Sequence, residues 1–303
     1  MKGGESSAFF IVYTNGKGQA MDLTSIQEIK AVAKRFGFHF SKGLGQNFLL
    51  DSSVLQHIVK AAGTADGILE IGPGFGVLTR ELAQAARKVV AVEIDNSLLP
   101  VLEYTLGEFD NVQVVPGDIL KMDIGALLHD AFGDGRVSVA ANLPYYITTP
   151  IITRLIESRL PFENIVVMVQ KEVAMRLCAQ AGTKDYGAVS VLCSYYTDAE
   201  IVARVPAASF YPPPKVDSAV VRFHRLERPR VAVRDEKLLF RVVKAAFAQR
   251  RKTLLNCLSS GLGMDKQAMA GLLEQAGVAP GIRGERLDLL EFAAISDVIQ
   301  KNM

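Results

Sequence analysis

The stretch GILEIGPGFGVLTRELAQAARKVVAVEID, residues 67–95, dictates how the rest of the chain is arranged. An apolar run from Ile68 to Ile71 breaks into Gly72-Pro73-Gly74-Phe75-Gly76. Apolar residues at helical spacing follow (Val77, Leu78, Leu82, Ala85), and then a second apolar run, Val89 to Val92, which ends on Glu93. Strand, glycine turn, helix and strand in that order make one parallel β-α-β unit. The glycines allow a sharp turn and a close approach of backbone to a ligand. A carboxylate at the tip of the second strand accepts hydrogen bonds from a ribose diol. The unit reads as half of a nucleoside site.

Which nucleoside it takes is a matter of glycine spacing. A dinucleotide site favours G-x-G-x-x-G with a pyrophosphate on the helix N-terminus. Here the pattern is G-x-G-x-G, Pro73 lies between the first two glycines, and Val77 stands where the third glycine of the dinucleotide pattern belongs. A plain turn entering a helix remains the alternative. The spacing resembles the E-x-G-x-G-x-G turn of S-adenosylmethionine methyltransferases, whose ligand carries no phosphate. Glu70, just before the turn, suits a cationic methionine moiety better than a diphosphate.

At 303 residues the chain has room for one large domain and a small second one. Apolar residues make up 49%, enough for a packed core, and no run is long enough for a membrane helix. A net charge of +2 requires any basic surface to be local. The three cysteines (Cys178, Cys193, Cys257) are scattered and show no C-x-x-C spacing, and the four histidines are dispersed. This argues against a disulfide framework or a metal site and for a reducing cytoplasm. Residues 1–20 lack periodicity and are expected to be a disordered extension, with Met21 a second plausible start.

Gly45-Gln46-Asn47-Phe48-Leu49 precedes a helix capped at Ser52 or Ser53. It is either an ordinary loop or a lid whose Gln46 and Asn47 amides reach a ligand. Further alternation places Asp118 just beyond the strand 112–115, where open α/β sheets bind ligands. It serves there either as a turn carboxylate or as an acceptor for an adenine amine. The strand 137–141 ends in Asn142-Leu143-Pro144-Tyr145-Tyr146, a polar amide, a stiff turn and aromatics that make poor core material. Strands at 199–205 and 216–226 follow without an intervening helix, which predicts an antiparallel pair at the sheet's far side. Pro212–Pro214 must lie outside any ladder, holding Phe210 and Tyr211 in a stiff segment.

From Asp235 the strands stop, and the pattern predicts three helices, with a boundary at 228/229. On a long helix from 235 to about 260, Arg241, Lys244, Arg251 and Lys252 fall within one arc of about 100°, free of acids. That stripe is a solvated face or an RNA-binding one. Arg250 falls among the apolar positions and is expected to be partly buried and paired with a carboxylate.

The ordered set G-Q-N-F-L (45–49), E-I-G-P-G-F-G (70–76), V-E-I-D (92–95), G-D-I (117–119), N-L-P-Y (142–145), F-Y-P-P-P-K-V-D-S-A-V (210–220) and Q-R-R-K-T-L (249–254) resembles the small-subunit ribosomal RNA adenine dimethyltransferases, the KsgA family. The resemblance runs from about Ile26 to the C-terminus. It implies a Rossmann-like class I methyltransferase fold, α/β, with a mostly parallel seven-stranded sheet in residues 21–228 and a helical RNA-binding domain in 229–303. It also implies S-adenosylmethionine held by Gln46, Asn47, Leu49, Gly72, Gly74, Glu93, Ile94, Asp118, Ile119 and Asn142. Catalysis would rest on Asn142, Leu143, Pro144, Tyr145 and Phe210, with Tyr145 and Phe210 as stacking faces. The implied substrate is a pair of adjacent adenosines of 16S rRNA in the immature small subunit, acted on in the cytoplasm by a monomer without metal or membrane. Three rivals remain. An antibiotic-resistance dimethyltransferase of large-subunit rRNA shares the mechanism, and a non-catalytic assembly factor shares the fold. An NAD-dependent oxidoreductase leaves N-L-P-Y unexplained.

Overall fold

A computed structural model describes residues 21–39, 47–63 and 65–303. The expectation for residues 1–20 lies outside them, as do Gly45 and Gln46. The described residues divide into two compact units. One gathers the chain up to Ile151 together with Pro161–Val169 and Ala203–Val220, and the other holds Ile152–Leu160, Gln170–Val202 and Val221–Met303. The second unit therefore takes in more than the 229–303 tail expected from the sequence.

Among the described residues, the first unit opens with helix α1 (Ile26–Arg35), a two-residue strand β1 (Phe48–Leu49) and α2 (Ser52–Ala62). Asp51 caps α2 by accepting from the Ser53 amide at 3.1 Å. Residues 67–93 form β2 (Gly67–Ile71), α3 (Val77–Ala85) and β3 (Lys88–Glu93). Then come α4 (Leu99–Leu106), β4 (Val112–Pro116), α5 (Ile124–Phe132), β5 (Val137–Asn142), α6 (Thr148–Glu157) and β6 (Phe162–Gln170). All of β2 is buried, as the uninterrupted apolar run of a central parallel strand requires.

After β6 the chain continues through α7 (Lys171–Leu177), α8 (Ala188–Tyr196), β7 (Thr197–Val205), β8 (Phe210–Tyr211) and β9 (Ser218–Arg225). The seven-stranded sheet has the order β4-β3-β2-β5-β6-β9-β7, and its β2–β3, β2–β5, β3–β4 and β5–β6 pairs are parallel. The expected neighbours β7 and β9 do lie together at one end of the sheet. The chain winds outward from β2 to β4 and then returns to β5 beside β2. The switch point between β2 and β5 is therefore where the carboxyl ends of the strands open a crevice. β1 and β8 form a separate antiparallel ribbon in which Phe48 faces Tyr211 and Leu49 faces Phe210. Sequence reading missed this ribbon because two residues carry no periodicity.

The second unit is built on a helical core. Its C-terminal helices are α9 (Glu236–Ala246), α10 (Leu254–Leu262), α11 (Lys266–Gln275) and α12 (Leu289–Lys301), one more than the pattern predicted. Tyr186, Val191 and Tyr195 share one buried cluster with Leu239, Val242, Leu258, Met269 and Phe292. The single long helix expected from 235 to 260 is in fact two. α9 stops at Ala246, and Thr253 starts α10 as its N-cap, its hydroxyl accepting from the Asn256 amide at 3.4 Å. The reversal lets α10 fold back against α9, where a Cβ on Gly261 would come within 2.5 Å of the Ala245 Cβ.

Candidate active site

The cleft at the switch point is lined by the ends of β2, β3 and β5, the residues that follow β4, and Asn47–Leu49. Gly72, at φ +71°, lies against open space, whereas a Cβ on Gly74 (φ +61°) would strike the Phe48 ring at 2.8 Å. The turn therefore needs glycine twice, once to present bare backbone to a ligand and once to admit the Phe48 wall.

Glu93 stands at the tip of β3, nearly buried at 4% exposure. Its Oε2 accepts from the Gly74 amide at 3.1 Å and its Oε1 from the Asp95 amide at 2.9 Å. It thus braces the glycine turn while facing the cleft. Burial raises its carboxyl above the usual range, against the pull of those two amides. Asp118 follows β4. One of its oxygens accepts from the Leu120 amide at 3.0 Å and the other pairs with the exposed Lys121 at 3.2 Å. It is a turn carboxylate that also lines the cleft. Ile94, 56% exposed, and buried Ile119 add apolar walls to either side.

At the mouth, Asn142 donates its Nδ2 hydrogen to the Asn47 carbonyl at 2.9 Å. Turning the amide over would set two oxygens against each other, so Oδ1 is the atom left to accept from a ligand. The Leu143 amide donates to the Met168 carbonyl at 3.4 Å, while the Pro144 carbonyl accepts from the Ile147 amide and the Thr148 hydroxyl, each at 3.1 Å. Those bonds fix the turn. The Tyr145 hydroxyl is 2.7 Å from the Ser218 hydroxyl, and burial pushes its pKa up. Ser218 opens the buried run Ser218–Val221 of β9, and a serine heading such a run is the sequence signal for a polar partner that its role required.

Of the expected site residues, Asn47, Leu49, Gly72, Gly74, Glu93, Ile94, Asp118, Ile119, Asn142, Leu143, Pro144 and Tyr145 all line this cleft. Gln46 lies outside the described residues. Phe210 differs: it is 3% exposed, pairs with Leu49 in the β1–β8 ribbon and is not part of the cleft wall. The exposed aromatic at the rim is instead Tyr146, at 61%. The four basic residues Arg241, Lys244, Arg251 and Lys252 are all exposed, but the first two belong to α9 and the others to the turn before α10. Arg250, expected to be buried beside a carboxylate, is exposed and donates to the Lys184 carbonyl at 2.5 Å. The helix wheel that buried it fails because α9 has already ended.

The lining contains Glu70, Glu93, Asp95 and Asp118, and neither lysine, arginine nor histidine among the described residues. Such a wall repels phosphate and attracts a cation. It therefore suits a sulfonium nucleoside and not a dinucleotide. A doubly wound sheet of this order, with an acidic nucleoside cleft and an aimed amide at its switch point, defines a class I methyltransferase. The family model described as "Ribosomal RNA adenine dimethylase" matches residues 37–301, and the chain belongs to that family.

Its relatives include proteins named "Ribosomal RNA small subunit methyltransferase A". One, from Geobacillus thermodenitrificans, is 49% identical over 92% of this chain and 97% of its own length. Another, from Bacillus cytotoxicus, is 48% identical over the same shares. Among solved structures, a dimethyladenosine transferase from Plasmodium falciparum matches with a TM-score of 0.69 at 26% identity, covering 82% of this chain and 95% of that one. The 23S rRNA methyltransferase ErmE matches with a TM-score of 0.64 at 27% identity, covering 84% and 100%.

Proposed function

We propose that the chain dimethylates N6 of two adjacent adenosines in the 3′-terminal hairpin loop of small-subunit (16S) rRNA. It would act as a monomer on the immature subunit in the cytoplasm, with S-adenosylmethionine as methyl donor. The observation that carries this reading is the Asn142 amide, held by the Asn47 carbonyl at 2.9 Å beside an acid-lined nucleoside cleft.

Glu70, Gly72, Glu93, Asp118 and Asn142 would hold the cofactor: Glu93 at the ribose, Asp118 at the adenine amine, Glu70 at the cationic methionine end. When bound, it supplies a methyl group already activated by the sulfonium charge. The chain's own task is geometric. Adenine N6 is a weak nucleophile because its lone pair is delocalised into the ring. Asn142 Oδ1 and the Leu143 carbonyl would each accept one N6 hydrogen, drawing the nitrogen towards tetrahedral geometry and freeing its lone pair. Tyr145, its hydroxyl anchored on Ser218, offers a face for the extruded base. Arg241, Lys244, Arg251 and Lys252 would meet RNA phosphates as two separate clusters.

The choice of small over large subunit is supported by relatives at 48–49% identity, against 27% for ErmE. The test is transfer of tritiated methyl groups to undermethylated small subunits and, in parallel, to large subunits, followed by mapping of the modified bases. Two neighbouring dimethyladenosines confined to small-subunit rRNA are expected. Label in the large subunit, or in neither, overturns the proposal.

A further inference from the structure

Glu70 is the residue of the cleft whose chemistry is least accounted for. It sits in β2, the central strand, at 1% exposure, and its Oε2 has no hydrogen-bond partner among the described residues. Its register neighbours are Ala91 on β3 and Ala140 on β5, both fully buried and without any polar side-chain atom. From α3 it faces the Thr79 hydroxyl, and from the tip of β3 the Glu93 carboxylate. Asp95 and Asp118 complete the acidic groups of the lining; Asp118 is paired with the exposed Lys121 at 3.2 Å, and among the described residues no basic side chain belongs to the lining itself.

A carboxylate in that position has lost its water and faces other acids with no cation to offset either loss. The neutral acid is the stable form. Burial accordingly raises its pKa to about 8, with Glu93 adding to the rise and the Thr79 hydroxyl opposing it. A cation entering the cleft reverses the balance, because an opposite charge at close range favours the ionised form.

We propose that Glu70 is a neutral acid before the cofactor binds and gives up its proton to solvent when the cationic methionine end arrives, so that cofactor capture and proton release are one event. The step is a simple ionisation: the Glu70 O–H bond breaks, the proton goes to buffer, and the carboxylate remains as counter-ion. Glu70 thereby makes the cleft read the cofactor's charge as well as its nucleoside. The inference rests on the proposed use of S-adenosylmethionine.

Isothermal calorimetry of the full chain in two buffers of unlike ionisation enthalpy counts the protons released. With a pKa of about 8, roughly 0.9 proton should leave per S-adenosylmethionine bound at pH 7. Methylthioadenosine, the same nucleoside without a charged amino-acid arm, should release close to none. In Glu70→Gln the release should vanish. Between pH 6 and pH 8 the wild type should gain affinity relative to that variant by up to about tenfold per pH unit. The ligand's own amine titrates alike in both proteins and cancels in that comparison; in the wild type alone it can take up only about 0.1 to 0.2 proton at pH 7, far less than the expected release.

Binding of S-adenosylmethionine to the wild type without proton release overturns the inference, as does equal release with methylthioadenosine or undiminished release in Glu70→Gln. The first two readings need no variant, so they stand even if the substitution impairs folding. No binding of S-adenosylmethionine at all is a different failure, that of the proposed cofactor.

Discussion

Because burial lifts the Glu70 carboxyl from 4.5 to about 8, the folded chain holds a proton that the unfolded chain has lost between those two pH values. By linkage, stability is greatest below about 4.5 as far as this group is concerned, declines as pH rises and levels off above about 8. Urea unfolding of the cofactor-free protein at pH 5 and pH 8 should show the wild type losing more than Glu70→Gln, by on the order of 3 kcal/mol. Identical losses would mean that the acid is not neutral in the fold. Asn142 permits a second measurement at this scale. Asn142→Ala removes the Oδ1 acceptor and should lower kcat by roughly a hundredfold or more, while RNA affinity in a filter-binding assay changes little. Equal losses in rate and affinity would assign the amide to binding alone.

At the level of elements, the break between α9 and α10 carries the consequences. Thr253 starts α10, so Thr253→Ala should cost about 1 kcal/mol in a denaturant melt. Gly261→Val should cost more, on the order of 3 kcal/mol, since even a Cβ there meets Ala245 at 2.5 Å. The break also regroups the basic residues. Replacing Arg251 and Lys252 by alanine should weaken RNA binding at all sequences and flatten its dependence on log salt by about 1 to 2. None of this was visible on the wheel. Residues 247–253 read as helix because Phe247 and Leu254 fall on the apolar arc, and a hydroxyl at 253 serves an interior turn or a cap equally well in sequence. The ribbon partner of Leu49 was hidden for a different reason: Phe210 looks like a free aromatic until a distant two-residue strand is known to cover it.

At the scale of the whole molecule, the legible part was the part governed by local rules. Apolar runs of parallel strands, the glycine turn and the acids at strand tips lie within short windows of sequence. They gave the sheet and most of the cleft, because a doubly wound sheet brings its strand ends together without further instruction. The membership of the second unit depends instead on contacts distant in sequence, such as Tyr195 and Val191 sharing a core with Phe292, and no window contains them. One property of the whole chain follows from the acidic lining. S-adenosylmethionine at a hundred times its Kd should stabilise the fold by about 2.7 kcal/mol, seen as a rise in Tm, whereas NAD at the same concentration should leave Tm unchanged.

The β1–β8 ribbon is only two residues long on each side, reinforced by the Leu50 amide on the Ser209 carbonyl at 2.9 Å. Its strength lies in the burial of Phe48, Leu49 and Phe210 more than in its few ladder bonds. Asn47, whose carbonyl aims the Asn142 amide, is the residue next to it. Loosening the ribbon by Leu49→Ala should therefore be felt at the Asn142 amide, lowering the methylation rate although the substituted side chain never meets the target base.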